Sequence, residues 1–425
     1  MSDEVFALDY EQHDLPNGLR LITVPTPYPR VVSLYIVVHA GSRNEVEEGR
    51  SGFAHFFEHM MFRGTPAYPP ERYEAVLQQA GASSNAYTDD DRTVYHTTVT
   101  VEDLEAVLAM EADRFRNLSY PLEAFQTEAL AVLGEYNKDF AEPTNRLHEV
   151  LRDTAFDVHT YKHTTMGFLR DIEQMPRMYD YSRLFFGRFY RPEYTTLVVA
   201  GDISTADVRR QVEDHWGGWE RGDYISTPRV EPAPATPRQA HIPWQTHTLP
   251  YLMLAHRAPA YSDESPDGAA LDLSCFLGFS EASPLYERLV ITEQSVDMLW
   301  ASNSDHVDPY LFTILARVKE KSAVASVRQA ILETLNGFAE TLVPPSTLEN
   351  VKSHLRYSFA LSMNHSEAIA STLAHYVSLR RTPETINRLY GLYDQVTPED
   401  LKRVAARYFR PEGRTEVTLS TGEAP

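Results

Sequence analysis

Phe53-Ala54-His55-Phe56-Phe57-Glu58-His59-Met60-Met61-Phe62 is a short stretch with two faces of opposite character. Phe53, Phe56, Phe57, Met60 and Met61 recur at helical spacing and predict a buried stripe. His55, Glu58, His59 and Phe62 fall on the other side. Residues three and four apart on a helix are neighbours, so the two imidazoles can reach one ion together. Gly64 and Pro66 predict where the helix stops. Two histidines one turn apart suit zinc, which accepts imidazole nitrogen in tetrahedral geometry and keeps one position open in catalytic sites. Glu58, between them, is placed to take a proton from water beside a polarised carbonyl, which is the chemistry of metal-assisted peptide hydrolysis. The order His-x-x-Glu-His inverts the commoner zinc-peptidase pattern. A core helix with two incidental histidines is the bland alternative.

A catalytic zinc needs a third protein ligand, which calls for an acidic helix downstream. Pro121 to Lys138 predicts one: it opens on Pro and continues through good helix formers. Glu128 and Glu135 lie seven residues apart, close to two turns, so they share a face and either can serve as the ligand. Leu130, Val132 and Leu133 are the expected docking residues. Glu135 follows His59 after 75 intervening residues. With that spacing the chain resembles the pitrilysin family of inverzincin metallopeptidases, the group of insulin-degrading enzymes and mitochondrial processing peptidases. The resemblance implies one Zn2+ per chain held by His55, His59 and Glu135, with Glu58 as general base and Glu128 as a carboxylate that orients the site. Gly81-Ala-Ser-Ser-Asn85-Ala86 resembles the family's element beside the zinc, implying that Asn85 and Ala86 bind extended substrate backbone. An exposed strand edge offers main-chain hydrogen bonds to any peptide sequence. Asn85 also suits a simple turn.

Length allows two or three domains, and a hydrophobic content of 43% is ordinary for a globular chain. A net charge of −21 speaks against nucleic acid or an anionic membrane as partner. No apolar run approaches the length of a membrane-spanning helix. The acidic start, MSDEVFALDYEQHDL, lacks the pattern of a secretory signal, so the expected location is the cytoplasm, or the periplasm if a leader was removed. The lone Cys275 sits in an apolar helical context and is expected to be buried.

Leu19 to Val24 and Val31 to Val38 read as adjacent strands joined by the turn at Pro25 to Pro29. Pro70 to Gln79 and Val101 to Leu118 read as helices, and Thr93 to Val101 as a strand. Arg188-Phe-Tyr-Arg191-Pro-Glu193 recurs as Arg407-Tyr-Phe-Arg410-Pro-Glu412, 219 residues later, each copy preceding a strand. Self-similarity at half the chain length predicts a duplicated α/β unit. Thr227 to Pro237 holds four prolines and reads as a spacer. The expected domains are a catalytic lobe over 1–226, a linker over 227–238 and a lobe without metal over 239–425. The second lobe has no histidine in the helix predicted over Asp267 to Leu277. By resemblance, the fold class is α+β: two related lobes of antiparallel sheet with packed helices, forming half of a clamshell chamber.

One segment departs from the family. Active single-chain members carry Leu-Arg-x-x-Glu-Gln-x-x-Tyr in the lobe without metal, and its Arg and Tyr hold the substrate. Here the stretch is Leu289-Val290-Ile-Thr-Glu293-Gln294-Ser-Val-Asp297, so Val290 replaces Arg and Asp297 replaces Tyr. The chain is also about half as long as the family's single-chain clamshells. The resemblance therefore implies a zinc endopeptidase for peptides or unfolded segments, acting as the catalytic subunit of a heterodimer whose homologous partner supplies Arg and Tyr. The alternatives are a homodimeric oligopeptidase, a maturation protease for one precursor, an inactive scaffold subunit, and a zinc-stabilised module without activity.

Overall fold

The computed structural model describes residues 4–424, which divide into two compact units. The first comprises the chain up to Lys138, His163–Arg229 and Ala360–Thr385; the second comprises Asp139–Lys162, Val230–Phe359 and the chain from Ile386 onward.

The first unit is built on a six-stranded sheet. Its strands are β1 (Glu11–Asp14), β2 (Arg20–Pro25), β3 (Val31–Val38), β4 (Ser83–Thr88), β5 (Thr93–Thr100) and β6 (Thr195–Gly201), in the order β1-β2-β6-β3-β5-β4. The expected pairing of the second and third strands is wrong. β6 lies between them, parallel to β2 and antiparallel to β3. All seven residues of β6 are buried, so this strand takes the centre, where both faces are covered. Pro25 to Pro29 therefore links two strands that do not touch.

The second unit holds a five-stranded sheet of β7 (Arg238–Trp244), β8 (Tyr251–Arg257), β9 (Val296–Asn303), β10 (Leu311–Val318) and β11 (Arg414–Thr421), ordered β7-β11-β8-β10-β9. β7 runs parallel to β11 and every other pair is antiparallel. Apart from the additional β1, both sheets have the same order and the same single parallel pair. The duplication read from two short motifs thus extends to the whole topology. Pro266–Phe279, the counterpart of the histidine helix, is a helix that buries Cys275.

Each sheet is covered by a helix from the other half of the sequence. Ser366–Arg380 packs on β3 and β6, and Pro143–Ala155 packs on β7, β8 and β11. Leu147, Leu151 and Ala155 from the latter join Met253, Leu315, Val417 and Leu419 in one core cluster. The units are therefore not the linear lobes expected from the spacer: residues 139–162 and 360–385 are exchanged between them. The apolar stripes of these two helices show that they are buried but not which sheet they cover. Residues 221–236 carry no helix or strand, in keeping with the spacer composition. Among the described residues, no helix is long and apolar enough to cross a membrane.

Candidate active site

The motif forms a helix over Phe53–Met60, continued by a 3-10 turn over Met61–Arg63 and stopped at Gly64, whose φ is 80°. Phe53, Phe56 and Phe57 are at most 1% exposed. Phe57 stacks on Phe185, and Phe56 meets Phe125 edge to face. Burying three phenylalanines contributes about 5 to 9 kcal/mol before entropy, enough to seat so short a helix. The start is fixed by Gly52, whose φ is 93°; a Cβ there would lie 2.4 Å from Ile172 Cδ1. Glu45 caps the helix, accepting the Gly52 and Ala54 N–H groups at 2.7 Å each. Burial pushes its carboxyl up to about 8, although both N–H donors favour the ionised form.

The acidic helix spans Leu122–Asp139 and docks through Phe125, Ala129, Val132 and Tyr136, all buried. Of the docking residues expected from sequence, Val132 is buried but Leu130 is 58% exposed. The stripe at i, i+4, i+7 and i+11 is rotated away from Leu130, and it presents Glu128 and Glu135 to the histidines.

Glu135 Oε2 lies 3.3 Å from His59 Nε2 and 3.7 Å from His55 Nε2, and the two Nε2 atoms are 3.3 Å apart. Donors about 2.1 Å from a tetrahedral zinc are about 3.4 Å from one another, so this set fits that ion. Among the described residues, no other group of three or more His, Cys, Asp or Glu converges in this way. His59 Nδ1 donates to Glu128 Oε1 at 2.9 Å, which leaves the Nε2 lone pair facing the cluster. His55 Nδ1 is buried without a hydrogen-bond partner, so only one of the two imidazoles is oriented by a carboxylate. Burial pushes His55 down to about 4, with His59 adding to the shift, so its ring is neutral and able to ligate at pH 7. The Glu128 hydrogen bond raises His59 against the effect of burial. Burial would raise Glu128 itself, but hydrogen bonds from His59 and Arg63 outweigh it and hold the carboxyl below its usual range.

Glu58 is pushed up mainly by burial, while a hydrogen bond from Thr88 Oγ1 to its Oε2, at 2.7 Å, opposes the shift. Thr88 ends β4, the outermost strand of its sheet, whose free edge carries Asn85 and Ala86. Asn85 lies inside this strand and not in a turn, and its Oδ1 accepts the Ala86 N–H.

Three residues near this site escaped the sequence reading. Arg63 donates to Glu128 Oε2 through Nε at 2.7 Å. The signal available was its i+4 spacing from His59. Thr88 stands two residues beyond Ala86, hence on the same face of the strand. Glu45 lay in a charged loop with nothing to mark it as a cap.

In the second unit, Val290 lies in a π-helical turn over Glu287–Thr292. Asp297 is held by Arg317, with Nε to Oδ1 at 2.8 Å. Neither side chain offers a hydrogen-bond donor.

A duplicated α+β chain with one His2Glu cluster, on an inverted His-x-x-Glu-His helix, defines a class of two-lobed proteins with a candidate metal site. Family models agree: the insulinase model of peptidase family M16 matches residues 20–168, and the peptidase M16 inactive-domain model matches residues 179–355. The chain belongs to peptidase family M16. It is similar to the zinc protease PqqE of Helicobacter pylori, 26% identical over 422 residues that cover 96% of this chain and 92% of the relative. The probable mitochondrial-processing peptidase subunit beta of Schizosaccharomyces pombe is 26% identical over 412 residues, covering 93% and 88%. Among solved structures, a protease from Helicobacter pylori superimposes with a TM-score of 0.91 at 24% identity, over 97% of this chain and 99% of that one. A peptidase M16 inactive domain from Pseudomonas fluorescens does so with a TM-score of 0.86 at 15% identity, over 98% and 99%.

Proposed function

We propose that this chain is a zinc-dependent endopeptidase that cuts peptides or unfolded segments, and that it works as the catalytic subunit of a heterodimer. The observation that carries the reading is the convergence of His55 Nε2, His59 Nε2 and Glu135 Oε2 at tetrahedral spacing, with Glu58 on the same short helix. These three side chains are the proposed zinc ligands. When bound, the ion supplies a Lewis acid that polarises the scissile carbonyl and acidifies water.

The chain's own residues would do the rest. Thr88 holds Glu58 Oε2, which leaves Oε1 to take the proton from the attacking water and pass it to the departing amine. A carboxyl raised by burial keeps a proton more readily than a solvated one, which suits such a shuttle. Glu128 holds the His59 ring in register. The free edge of β4, at Asn85 and Ala86, offers main-chain groups to an extended substrate, which adds as another strand.

The heterodimer rests on Val290 and Asp297. Valine cannot donate a hydrogen bond, and the Asp297 carboxylate, already paired with Arg317, would repel a developing oxyanion. Loss of one such donor costs about 2.7 to 4 kcal/mol of transition-state stabilisation, so the donors would come from a partner. A relative named as a subunit supports this. The test is to assay a peptide library with the purified chain, alone and with a homologous M16 subunit lacking His-x-x-Glu-His. Cleavage is expected only from the zinc-loaded pair. Ordinary turnover by the isolated chain, unchanged by the partner, would favour a homodimer and remove the heterodimer. No cleavage in either case, with zinc bound, would remove the peptidase.

A further inference from the structure

We propose that the second unit carries a pocket for a small anion, a carboxylate or a phosphate, formed where the duplicated Arg-aromatic-aromatic-Arg-Pro-Glu segment ends. The duplication supplies an internal comparison. In the first unit the leading arginine, Arg188, is neutralised by Glu47 at 2.6 Å and lies over the Tyr224 ring at 4.4 Å. The second arginine, Arg191, donates to the Gly187 carbonyl at 2.6 Å, and the chain at Gly222 closes over it so tightly that a Cβ there would sit 3.3 Å from its Nε. Glu47, the Tyr224 ring and the Gly222 backbone thus engage that pair.

The copy in the second unit is open. Arg407 and Arg410 line a cavity of about 280 Å³, together with Tyr408, Arg257 and the strap Pro232 to Pro234. That volume is near the lower end for ligand pockets and suits one amino-acid-sized or phosphate-sized group. Glu231 also lines the cavity, but its oxygens accept the N–H groups of Asp157, Val158 and His159 at 2.7 to 2.9 Å, so its charge is already engaged. Arg257 is fixed in place: it donates to the Ala155 carbonyl at 2.8 Å and lies over Phe156 at 4.1 Å. Burial holds its guanidinium below the usual range, and Glu231 offsets this only in part from 3.8 Å. Arg407 shares Asp267 with Arg403, which also pairs with Asp400 at 3.2 Å, so Asp267 alone serves Arg407 and does so only in part. The Arg410 guanidinium has no counter-ion among the described residues.

In a chain with a net charge of −21, such a concentration of guanidiniums is a local inversion of the field. Arginine forks match carboxylate and phosphate oxygens, and the tyrosine and proline walls accept an aliphatic or ring body. The pocket shares no residue with the His-Glu cluster, so its test does not depend on the peptidase reading.

The experiment is calorimetric titration of the full chain with inorganic phosphate, tripolyphosphate, a tripeptide with a free C-terminus and the same tripeptide amidated. Saturable binding of at least one anionic probe is expected. Arg410→Gln should weaken it about tenfold, and Arg410→Glu should abolish it. Arg410 is exposed, so both variants should fold, as circular dichroism would check. Phosphate binding without peptide binding identifies a phosphate site, and preference for the free tripeptide over its amide identifies a carboxylate site. The proposal is overturned if no anion binds saturably below about 10 mM. It is equally overturned if the amide binds as well as the acid without phosphate binding, or if Arg410→Gln leaves every affinity unchanged.

Discussion

Replacing Glu128 with glutamine should weaken zinc binding without unfolding the site. Glu128 is 5% exposed, and both of its oxygens are in use: Oε1 accepts from His59 Nδ1 at 2.9 Å and Oε2 from Arg63 Nε at 2.7 Å. Glutamine keeps the volume but has one acceptor oxygen. If that oxygen turns to His59, the amide NH2 faces Arg63, donor against donor. If it turns to Arg63, the imidazole loses the partner that sets its tautomer. Both outcomes remove a charge-assisted hydrogen bond behind a ligand, and outer carboxylates of this kind carry about 10- to 100-fold in metal affinity, roughly 1.4 to 2.7 kcal/mol. Arg63→Met should cost less, about 3- to 10-fold, because Arg63 is 43% exposed and water can replace it at Glu128. Arg63→Lys should recover part of that loss. Zinc affinity would be measured by competition with a chromogenic chelator at fixed pH and ionic strength. Unchanged affinity in Glu128→Gln would refute the reasoning. Zinc lost in Glu128→Gln but kept in Glu135→Gln would exchange the roles of the two carboxylates.

Glu58→Gln should keep zinc, measured by elemental analysis, while peptide turnover falls at least about 100-fold; near-normal turnover would mean that another group is the base. Because the base must be ionised, the acid limb of the kcat/KM profile follows Glu58. Thr88→Val removes a hydrogen bond that lowers its pKa, so that limb should move to higher pH, whereas Thr88→Ser should leave it in place. An unmoved limb in Thr88→Val would separate Thr88 from the base. His256, 1% exposed, is pushed by burial down to about 4 from its ordinary 6.5. The unfolded chain then binds a proton that the folded one does not, so this residue's contribution to stability is present above pH 6.5 and is lost as pH falls toward 4. The slope is up to about 1.4 kcal/mol per pH unit, and His256→Gln should flatten it in denaturant titrations between these limits. An unflattened slope would place the acid sensitivity elsewhere.

Local chemistry was legible from the sequence because its determinants are local. The Phe53, Phe56 and Phe57 stripe, the His55 and His59 spacing and the stop at Gly64 are all set within one helix, and all appear as expected. The approach of Glu128 and Glu135 to those histidines was different. Spacing put both carboxylates on one face, but which was nearer the Nε2 atoms depended on the rotation at which Phe125, Ala129, Val132 and Tyr136 seat their helix. Resemblance had to choose between them, and the exposed Leu130 shows how far the sequence-based docking face was turned.

Long-range pairing is what only the tertiary structure decided. The apolar runs at β2 and β3 are recognisable as strands, but nothing within them records that β6, more than 150 residues away, inserts between them. Backbone hydrogen bonds are chemically alike at every position, so partner choice falls to the burial of whole faces, a property of the folded sheet. The same applies to the helices Pro143–Ala155 and Ser366–Arg380, each seated on the sheet of the opposite half. Arg63 and Thr88 became visible as partners of Glu128 and Glu58 only in three dimensions, since a hydrogen bond across elements leaves no period in the sequence. The sequence by itself determined the main elements, the duplication and the residue types of the His-Glu cluster. Packing determined which strands meet and which carboxylate faces which imidazole, because both depend on how apolar faces are buried together.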